Sequence, residues 1–408
     1  MPITVAEAGR TLADPATYAD DELLHAALSL LRREAPVHWV EAPGYNPFWA
    51  VTRHADIQEV ERENETFLSA PRPVLVGASV DAAHQRSEAG RTALRPLIHL
   101  DGHEHRGMRG VIADRFRPQA VGHLEPRVRA LAGKAVDRMR EFGSACEFVG
   151  DVSDVYALDV LLCLMGLDRS ESAQIFRFTP AGRRPLPPEA RQSAMREFYT
   201  YFMDLAARRR ARPTDDLASV IANARLDGRL LDDREMLSSY IIILSAGHDT
   251  AGATIAGGLK ALIENPGQLD MLREHPDRLP SAVDEMIRWV TPVKGFMRTA
   301  VQDYTLRDVV IRKGDSVLLS YPSANRDEAV FDAPHRFDVE RTPNRHLAFG
   351  YGVHHCLGAA LAKLEILSFF AELLPRIGTM ELSGEPAYLS SAFSGGLKYL
   401  PLRYSWAH

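Results

Sequence analysis

Three histidines and one of the chain's three cysteines fall in a glycine-rich stretch, HLAFGYGVHHCLGAALAKLE, at residues 346–365. Histidine and cysteine bind metals, and zinc takes four protein ligands at tetrahedral angles in structural sites. His354, His355 and Cys356 are adjacent, so at most two of them can reach one ion without severe distortion of the backbone. The spacing argues against zinc and leaves the cysteine as a candidate ligand of another metal.

A single cysteine thiolate suits iron in haem, because the porphyrin supplies four nitrogens and the protein needs to add only an axial ligand. The Ala/Leu-rich segment after Cys356 predicts a helix, whose dipole and first N–H groups would stabilise the charged sulfur. Gly350, Gly352 and Gly358 would let the backbone pass close under a flat ring. The chain has no CxxCH sequence, which predicts a haem without thioether bonds.

The stretch resembles the haem-binding pattern of the cytochrome P450 family, Phe-Gly-x-Gly-x-His/Arg-x-Cys-x-Gly. Every fixed position is filled, by Phe349, Gly350, Gly352, His354, Cys356 and Gly358. The resemblance implies that Cys356 ligates the iron of haem b, with O2 as co-substrate. It also implies that the phenylalanine and the first glycine contact the cofactor and that His354 binds a haem propionate. It gives His346 and His355 no ligand role.

The segment LSAGHDTAGAT places small residues, an acid and a hydroxyl inside a helix predicted over residues 232–263. Ala246, Gly247, Asp249 and Thr250 match the family's pattern of the oxygen-binding groove, which implies that Asp249 and Thr250 are catalytic and deliver protons. The Thr250 hydroxyl can also bond to a carbonyl about four residues earlier and open the helix locally. The alternative is a helix that packs closely on a neighbour through its small residues.

Two further groups of charged residues match the family. Glu285 and Arg288 lie three apart on one predicted helical face, and the resemblance implies that Arg336, in the segment PHRF, completes a structural ion-pair triad with them. His105, Arg109 and Arg298 match positions that meet the haem propionates, together with His354. Carboxylates of this kind need His or Arg partners.

The resemblance extends from about residue 21 to the end of the chain and is strongest with the bacterial α-terpineol hydroxylase group. It implies hydroxylation of a small apolar molecule, a terpenoid or an alkyl-aromatic compound. The residues expected to line the substrate pocket are apolar or lack a side chain: Ala246, Val293, Gly295, Phe296 and Phe393. A steroid or another larger apolar molecule is the alternative substrate. A peroxide-driven haem-thiolate enzyme and a haem sensor are the alternative classes.

Helical periodicity dominates the chain, with one helix predicted over residues 121–142, and it predicts a mainly α fold with a small β region. The resemblance implies that this is the cytochrome P450 fold, as a single compact haem domain over residues 1–408. The strand-like segments are PVHWVEA, PFWAVTR and YTLRDVVIRKGDSVLLSY, in which RKGD is typical of a hairpin turn. Residues 70–102 and 179–192 show no periodicity, which predicts long loops that act as lids or binding loops.

The composition indicates a soluble globular protein: 46% of the residues are hydrophobic, 25% are charged and the net charge is −6. Such a charge gives no reason to expect binding to nucleic acid or to a membrane. We expect a cytoplasmic protein, since three unpaired cysteines indicate a reducing compartment and the start of the chain lacks signal-peptide features. We also expect a monomer. No GxGxxG follows a strand. The chain therefore offers no dinucleotide site of its own, and the electrons for the expected oxygen chemistry must come from another protein. The resemblance implies a [2Fe-2S] ferredoxin and an NAD(P)H-dependent ferredoxin reductase.

Overall fold

A computed structural model describes residues 3–89, 93–178 and 188–407 of the chain. Helices make up most of it, as the periodicity predicts. Their bounds are α1 Val5–Thr11, α2 Asp21–Glu34, α3 His54–Arg62, α4 Ala78–Ala89, α5 Gly102–Ala113, α6 Pro118–Gly122, α7 Glu125–Glu141, α8 Asp154–Met165, α9 Ser172–Phe178, α10 Pro188–Ala211, α11 Leu217–Asn223, α12 Asp233–Glu264, α13 Pro266–Glu274, α14 Leu279–Val290, α15 Tyr321–Ala324 and α16 Ala359–Leu373.

The strands are short and form a small β region. Their bounds are β1 Val37–Val40, β2 Phe48–Val51, β3 Phe67–Leu68, β4 Ala145–Glu147, β5 Arg225–Leu226, β6 Arg229–Leu230, β7 Gly295–Ala300, β8 Tyr304–Leu306, β9 Val309–Ile311, β10 Ser316–Ser320, β11 Ile377–Leu382, β12 Ala387–Tyr388, β13 Leu397–Tyr399 and β14 Pro401–Trp406. The five-stranded sheet has the order β1-β2-β10-β7-β3. β2 and β10 run parallel, with Ala50 opposite Leu318, so this sheet ties the N-terminal strands to the later part of the chain as the sequence predicts.

The long helix α12 begins where its sequence supplies a capping box. The Asp232 carboxylate accepts a hydrogen bond from the Glu235 N–H at 2.8 Å, and the Glu235 carboxylate accepts one from the Asp232 N–H at 2.9 Å. These two bonds satisfy N–H groups that the first turn cannot pair internally. The helix packs against α8, α14 and α16, and most of its residues are buried.

Buried apolar side chains form one large cluster and two smaller ones in the described residues. The large cluster joins α5, α7, α8, α10, α12, α14 and α16. The smaller clusters cover the two faces of the five-stranded sheet, one with α1 and α2 and the other with α3. Within the described ranges, no helix is both long and apolar enough to cross a bilayer.

The structure differs from the predicted elements at three places. Residues 70–102 contain α4, an Ala-rich helix that lacks a continuous buried stripe and so has no periodic signal. The helix predicted over residues 121–142 is divided into α6 and α7, because Pro126 in the first turn of α7 cannot donate to a preceding carbonyl. Residues 188–192 of the second predicted loop belong to α10, and residues 179–187 lie outside the described residues.

The RKGD segment is not a hairpin turn. β8 pairs with β9 through the turn at Arg307, whose φ is +55°, whereas RKGD connects β9 to β10. β10 pairs with β2 and β7 instead of β9. The turn chemistry of Gly314 is present, but local sequence cannot say which strand becomes the partner.

Candidate active site

The loop before α16 brings the cysteine of the glycine-rich stretch to the N-terminus of that helix. The Cys356 N–H donates to the Phe349 carbonyl at 2.8 Å, which closes the loop. Gly350 and Gly352 have φ values of +68° and +65°. A Cβ on Gly352 would also lie 2.7 Å from the Glu61 carbonyl oxygen, so only glycine fits there. The glycines therefore shape the loop itself and its contact with α3.

The Cys356 side chain lies on the wall of a recessed space. It is exposed to solvent, yet protein atoms surround the sulfur closely enough that burial raises the pKa of its thiol. The Gly358 N–H and the Arg109 guanidinium act in the opposite direction and lower that pKa. The sulfur thus has the helix N–H donor that the sequence predicts, and Arg109 adds a nearby positive charge.

Two histidine rings contact each other beside the cysteine loop. The rings of His105 and His354 are 4.2 Å apart between centroids. His354 Nε2 is 3.3 Å from Ser69 Oγ and 3.5 Å from an Asp101 carboxylate oxygen. Burial, together with charge repulsion from His354 and Arg109, lowers the pKa of His105 to about 4. Nε2 of His105 is buried without a hydrogen-bond partner.

The two predicted arginines complete this group. Arg109 Nη2 donates to the His355 carbonyl at 2.8 Å. Arg298 Nη2 donates to a Glu61 carboxylate oxygen at 3.3 Å, and both side chains are almost fully buried. Burial lowers the pKa of His354, and Arg298 and Arg109 lower it as well. The four predicted propionate partners therefore lie close enough to act on one another electrostatically.

This group fits the carboxylates of a haem. Two arginines supply positive charge beside a cysteine at a helix N-terminus, and the two histidines add hydrogen-bonding groups, of which the buried His105 Nε2 has no partner within the protein. Cys356 would supply the axial sulfur, and His105, Arg109, Arg298 and His354 would hold the propionates.

One face in the middle of α12 is accessible to solvent, although most of that helix is buried. Ala246 is exposed and Thr250 partly so. The Thr250 hydroxyl donates to the Ala246 carbonyl at 2.8 Å, as predicted from its position. The helix nevertheless remains continuous, so the predicted local opening is not observed. Asp249 lies 2.8 Å from the His248 ring and is 14% exposed.

Gly247 fits the alternative explanation of the small residues in α12. A Cβ at this position would lie 3.4 Å from Leu161 in α8, so the glycine faces the neighbouring helix. The open face is formed by Ala246 and Thr250. The small residues of this segment therefore lie on two faces of one helix: Gly247 packs against α8, and Ala246 lies on the open face.

Apolar side chains predicted for the substrate pocket meet where β7 contacts the turn before β13. The rings of Phe296 and Phe393 are 5.5 Å apart, and both side chains are partly exposed, as is Val293. Val293 forms a β-bridge with Ser394. Gly295 also permits close pairing of β7 with β10, because a Cβ at this position would lie 2.5 Å from the Leu319 carbonyl oxygen.

The ion-pair cluster around Glu285 corrects one predicted member. Arg288 donates twice to the Glu285 carboxylate, at 2.7 Å each, and both side chains are 0% exposed. The second arginine on Glu285 is Arg341, at 3.2 Å, and not Arg336. The Arg336 side chain is 67% exposed, and only its carbonyl takes part, by accepting from Arg288 and Arg341. A three-residue motif could not indicate which arginine of the segment turns inward.

Sequence reasoning missed two carboxylates that anchor the predicted site residues. Glu61 binds Arg298 and accepts a hydrogen bond from Tyr321 at 2.8 Å, and burial raises its pKa to about 7. Asp101 lies beside His354. Glu61 is 237 residues from Arg298, and no local pattern connects them.

A cysteine that enters its site at a helix N-terminus, beside grouped arginines and histidines, defines a haem-thiolate class of oxidoreductase. Comparison with known proteins agrees. Residues 189–378 match the family model described as Cytochrome P450. The chain is 37% identical to Cytochrome P450-terp of a Pseudomonas species, over 98% of this chain and 97% of that protein.

Other relatives and a solved structure give the same result. Linalool 8-monooxygenase of Pseudomonas putida is 34% identical over 95% of this chain and 97% of its own. Steroid C26-monooxygenase of Mycolicibacterium smegmatis is 32% identical over 96% of both chains. The crystal structure of CYP108D1 from Novosphingobium aromaticivorans superposes with a TM-score of 0.92, at 38% identity and over 100% of both chains.

The chain belongs to the cytochrome P450 family and has the fold of that family. It is a haem-thiolate monooxygenase, which uses haem b with cysteine–iron ligation and O2 as co-substrate.

Proposed function

We propose that this cytochrome P450 hydroxylates a small hydrophobic molecule of the terpenoid or alkyl-aromatic class. The observation that carries the proposal is the apolar wall of Phe296, Phe393 and Val293, which is partly exposed and offers no charged group. Such a wall selects ligands by shape, and each methylene is worth about 1–3 kcal/mol of discrimination. The printed name of Linalool 8-monooxygenase adds support from a relative.

Each site residue has one proposed role. Cys356 is the axial ligand; the Gly358 N–H and Arg109 favour the charged form of its sulfur, against the burial that raises the pKa of its thiol. His105, Arg109, Arg298 and His354 hold the propionates, and Phe349 and Gly350 contact the ring from the cysteine loop. Haem bound there would activate O2 and the C–H bond of the substrate.

Proton delivery is assigned to Asp249 and Thr250. The Thr250 hydroxyl lies on the open face of α12. It donates its hydrogen bond to the Ala246 carbonyl, so its oxygen can accept a further hydrogen bond. Asp249, the residue before Thr250, is partly exposed. Its carboxylate lies 2.8 Å from the ring of His248, which is a second titratable group. The two residues can therefore pass a proton inward from solvent.

The electrons are proposed to come from a [2Fe-2S] ferredoxin and its NAD(P)H-dependent reductase. Arg106 is exposed on α5, one turn from Arg109, and Lys363 is 46% exposed on α16 although it pairs with Asp284. These cations offer a docking surface for an acidic electron carrier on the side of Cys356.

The test is spectroscopic. We expect the reduced protein with CO to show the Soret band of a thiolate-ligated haem, and linalool, α-terpineol or p-cymene to shift the spin state at micromolar concentration. Binding of steroids alone would contradict the substrate class; the steroid monooxygenase relative makes this the second candidate. Product formation with ferredoxin, reductase and NAD(P)H, compared with peroxide alone, separates the monooxygenase from a peroxide-driven enzyme.

A further inference from the structure

A second recessed space lies among α2, the end of α12 and the end of α14. Its volume is about 170 Å³, and it shares no lining residue with the groups described around Cys356. We call it the Lys294 cavity and define it by Lys294, Arg326, His25, Trp289 and Tyr388. Further walls are the apolar side chains Leu24, Val290 and Leu397.

Lys294 is a buried cation that the fold holds in place. It is 9% exposed, and a Cβ on Gly395 would overlap its Cε, so its stem is packed against the backbone of the Phe393 turn. Its ammonium donates to the Val290 carbonyl at 3.1 Å. An ammonium has three donors. Burial lowers the pKa of Lys294 to about 8, which measures how poorly the charge is compensated.

Arg326 is a second buried cation on the same cavity. Its guanidinium donates to the Arg288 and Trp289 carbonyls at 3.2 and 3.0 Å and lies over the Trp289 ring at 4.3 Å. Its Nε is buried without a hydrogen-bond partner, and so is Nδ1 of His25. Unpaired groups of this kind are costly to bury.

No carboxylate forms an ion pair with Lys294 or Arg326 among the residues that the structure describes, although Asp21 in the cavity wall acts on both charges and Glu285 acts on that of Arg326. Glu264, at the mouth, is paired with Lys260 at 2.6 Å. Asp21 is exposed and acts on Lys294 and Arg326 only from beyond ion-pair distance. Two buried cations with donors to spare, in a cavity with apolar walls, lack a counter-ion of matching shape.

We propose that the Lys294 cavity binds a small organic monocarboxylate. Its carboxylate would lie between the Lys294 ammonium and the Arg326 Nε, and its apolar body would pack against Leu24, Val290 and Leu397. The cavity equals about five or six waters at ~30 Å³ each, which limits the ligand to a small acid. The apolar walls favour an organic body over a hydrated inorganic ion.

The site also borders the proposed substrate pocket through the segment just before β7. The Lys294 N–H donates to the Phe393 carbonyl at 2.8 Å, and the Lys294 carbonyl accepts from Tyr321 at 3.1 Å. A ligand on Lys294 therefore lies one residue from Val293. The carboxylate site itself does not depend on the substrate proposed above.

Benzoate is the probe, titrated by calorimetry into the holoprotein with an iron-ligating azole filling the haem pocket. We expect one benzoate per chain and, for the neutral isostere benzamide, affinity at least about tenfold weaker. Lys294→Met should weaken benzoate by at least about tenfold and leave benzamide unchanged. Lys260→Met makes the same change at the mouth, where the lysine is already paired, and should alter benzoate affinity less than about threefold.

Equal benzoate affinity in the native protein and Lys294→Met would overturn the proposal, as would benzamide binding as tight as benzoate or no saturable binding of benzoate. Crystals of the native protein soaked in 4-bromobenzoate give a second test that needs no variant. The bromine's anomalous signal is expected against Leu24 and Leu397. A signal confined to other places would count against the site.

Discussion

The Glu285 cluster and the Cys356 region are both groups of buried charges, and they differ in how completely their hydrogen bonds are used. Arg288 has five N–H donors, and they meet two Glu285 oxygens and the carbonyls of Asn325, Pro334 and Arg336. Around Cys356, the buried His105 Nε2 and Glu61 Oε2 have no partner.

The difference separates a structural cluster from a binding site. A closed cluster has no capacity left for a ligand and serves to fix the segment before the cysteine loop. An open one keeps donors and acceptors for something that is not part of the chain. The Lys294 cavity belongs to the open kind, and for this reason we assign it a ligand.

The largest effect is expected where the open region would bind iron. Cys356→Ala removes the proposed axial sulfur, so the thiolate-type CO spectrum and the monooxygenase activity should both be lost. Circular dichroism should still show a helical fold, because the Glu285 cluster is untouched. Cys163→Ala is the control, since it removes a cysteine from α8 and should leave the CO spectrum unchanged. A thiolate-type band in Cys356→Ala would refute the assignment.

Breaking the closed cluster should cost stability. Glu285→Gln leaves Arg288 and Arg341 buried without a carboxylate, and we expect it to lower the free energy of unfolding by about 3–5 kcal/mol. Arg336→Gln should change it by less than about 0.5 kcal/mol, because that side chain is mostly exposed. Urea unfolding measures both. If Arg336→Gln destabilised the protein more than Arg341→Gln, the assignment of Arg341 to the cluster would be wrong.

The buried charge of Lys294 should lower the free energy of unfolding, by an amount that depends on pH. With a folded pKa of about 8 and an ordinary value of 10.5, Lys294 releases its proton earlier in the folded state. The free energy of unfolding should therefore rise from about pH 8 to 10.5, by at most about 3 kcal/mol, and the penalty is fully present below pH 8. Lys294→Met should remove this rise and stabilise the protein at pH 7 without added carboxylate.

Urea unfolding at a series of pH values tests this difference. Lys260→Met should keep the rise of the native protein, because the Lys260 ammonium is paired with Glu264 near the surface. Parallel curves for the native protein and Lys294→Met would show that the Lys294 charge is compensated after all.

A smaller effect is expected at the proton relay. Thr250→Ala should allow O2 uptake to continue while product per O2 falls by about tenfold and hydrogen peroxide rises, since a hydroxyl is lost from the open face of α12. Thr254→Ala is a matched control: Thr254 makes the same bond to a carbonyl four residues earlier, at 2.8 Å, but is buried. Unchanged coupling in Thr250→Ala would exclude it from proton delivery.

Much of the site could be predicted, because it depends on local patterns. The cysteine loop, the bond from Thr250 to Ala246 and the pairing of Glu285 with Arg288 each span ten residues or fewer. Contacts between distant segments were missed or wrong: Glu61 with Arg298, and Arg341 in place of Arg336. The single-domain assignment and the roles of the site residues stay predictions.

The sequence by itself indicated the family through the resemblance of its cysteine loop. It also determined the helical class and the cysteine at a helix start, since periodicity and residue spacing act through backbone geometry over a few turns. Only the tertiary structure decided which charges are compensated. Arg288 and Arg326 are both fully enclosed, yet one has all five donors bonded and the other keeps a free Nε. Compensation of a buried charge depends on atoms brought together from distant segments, and that information lies in the fold.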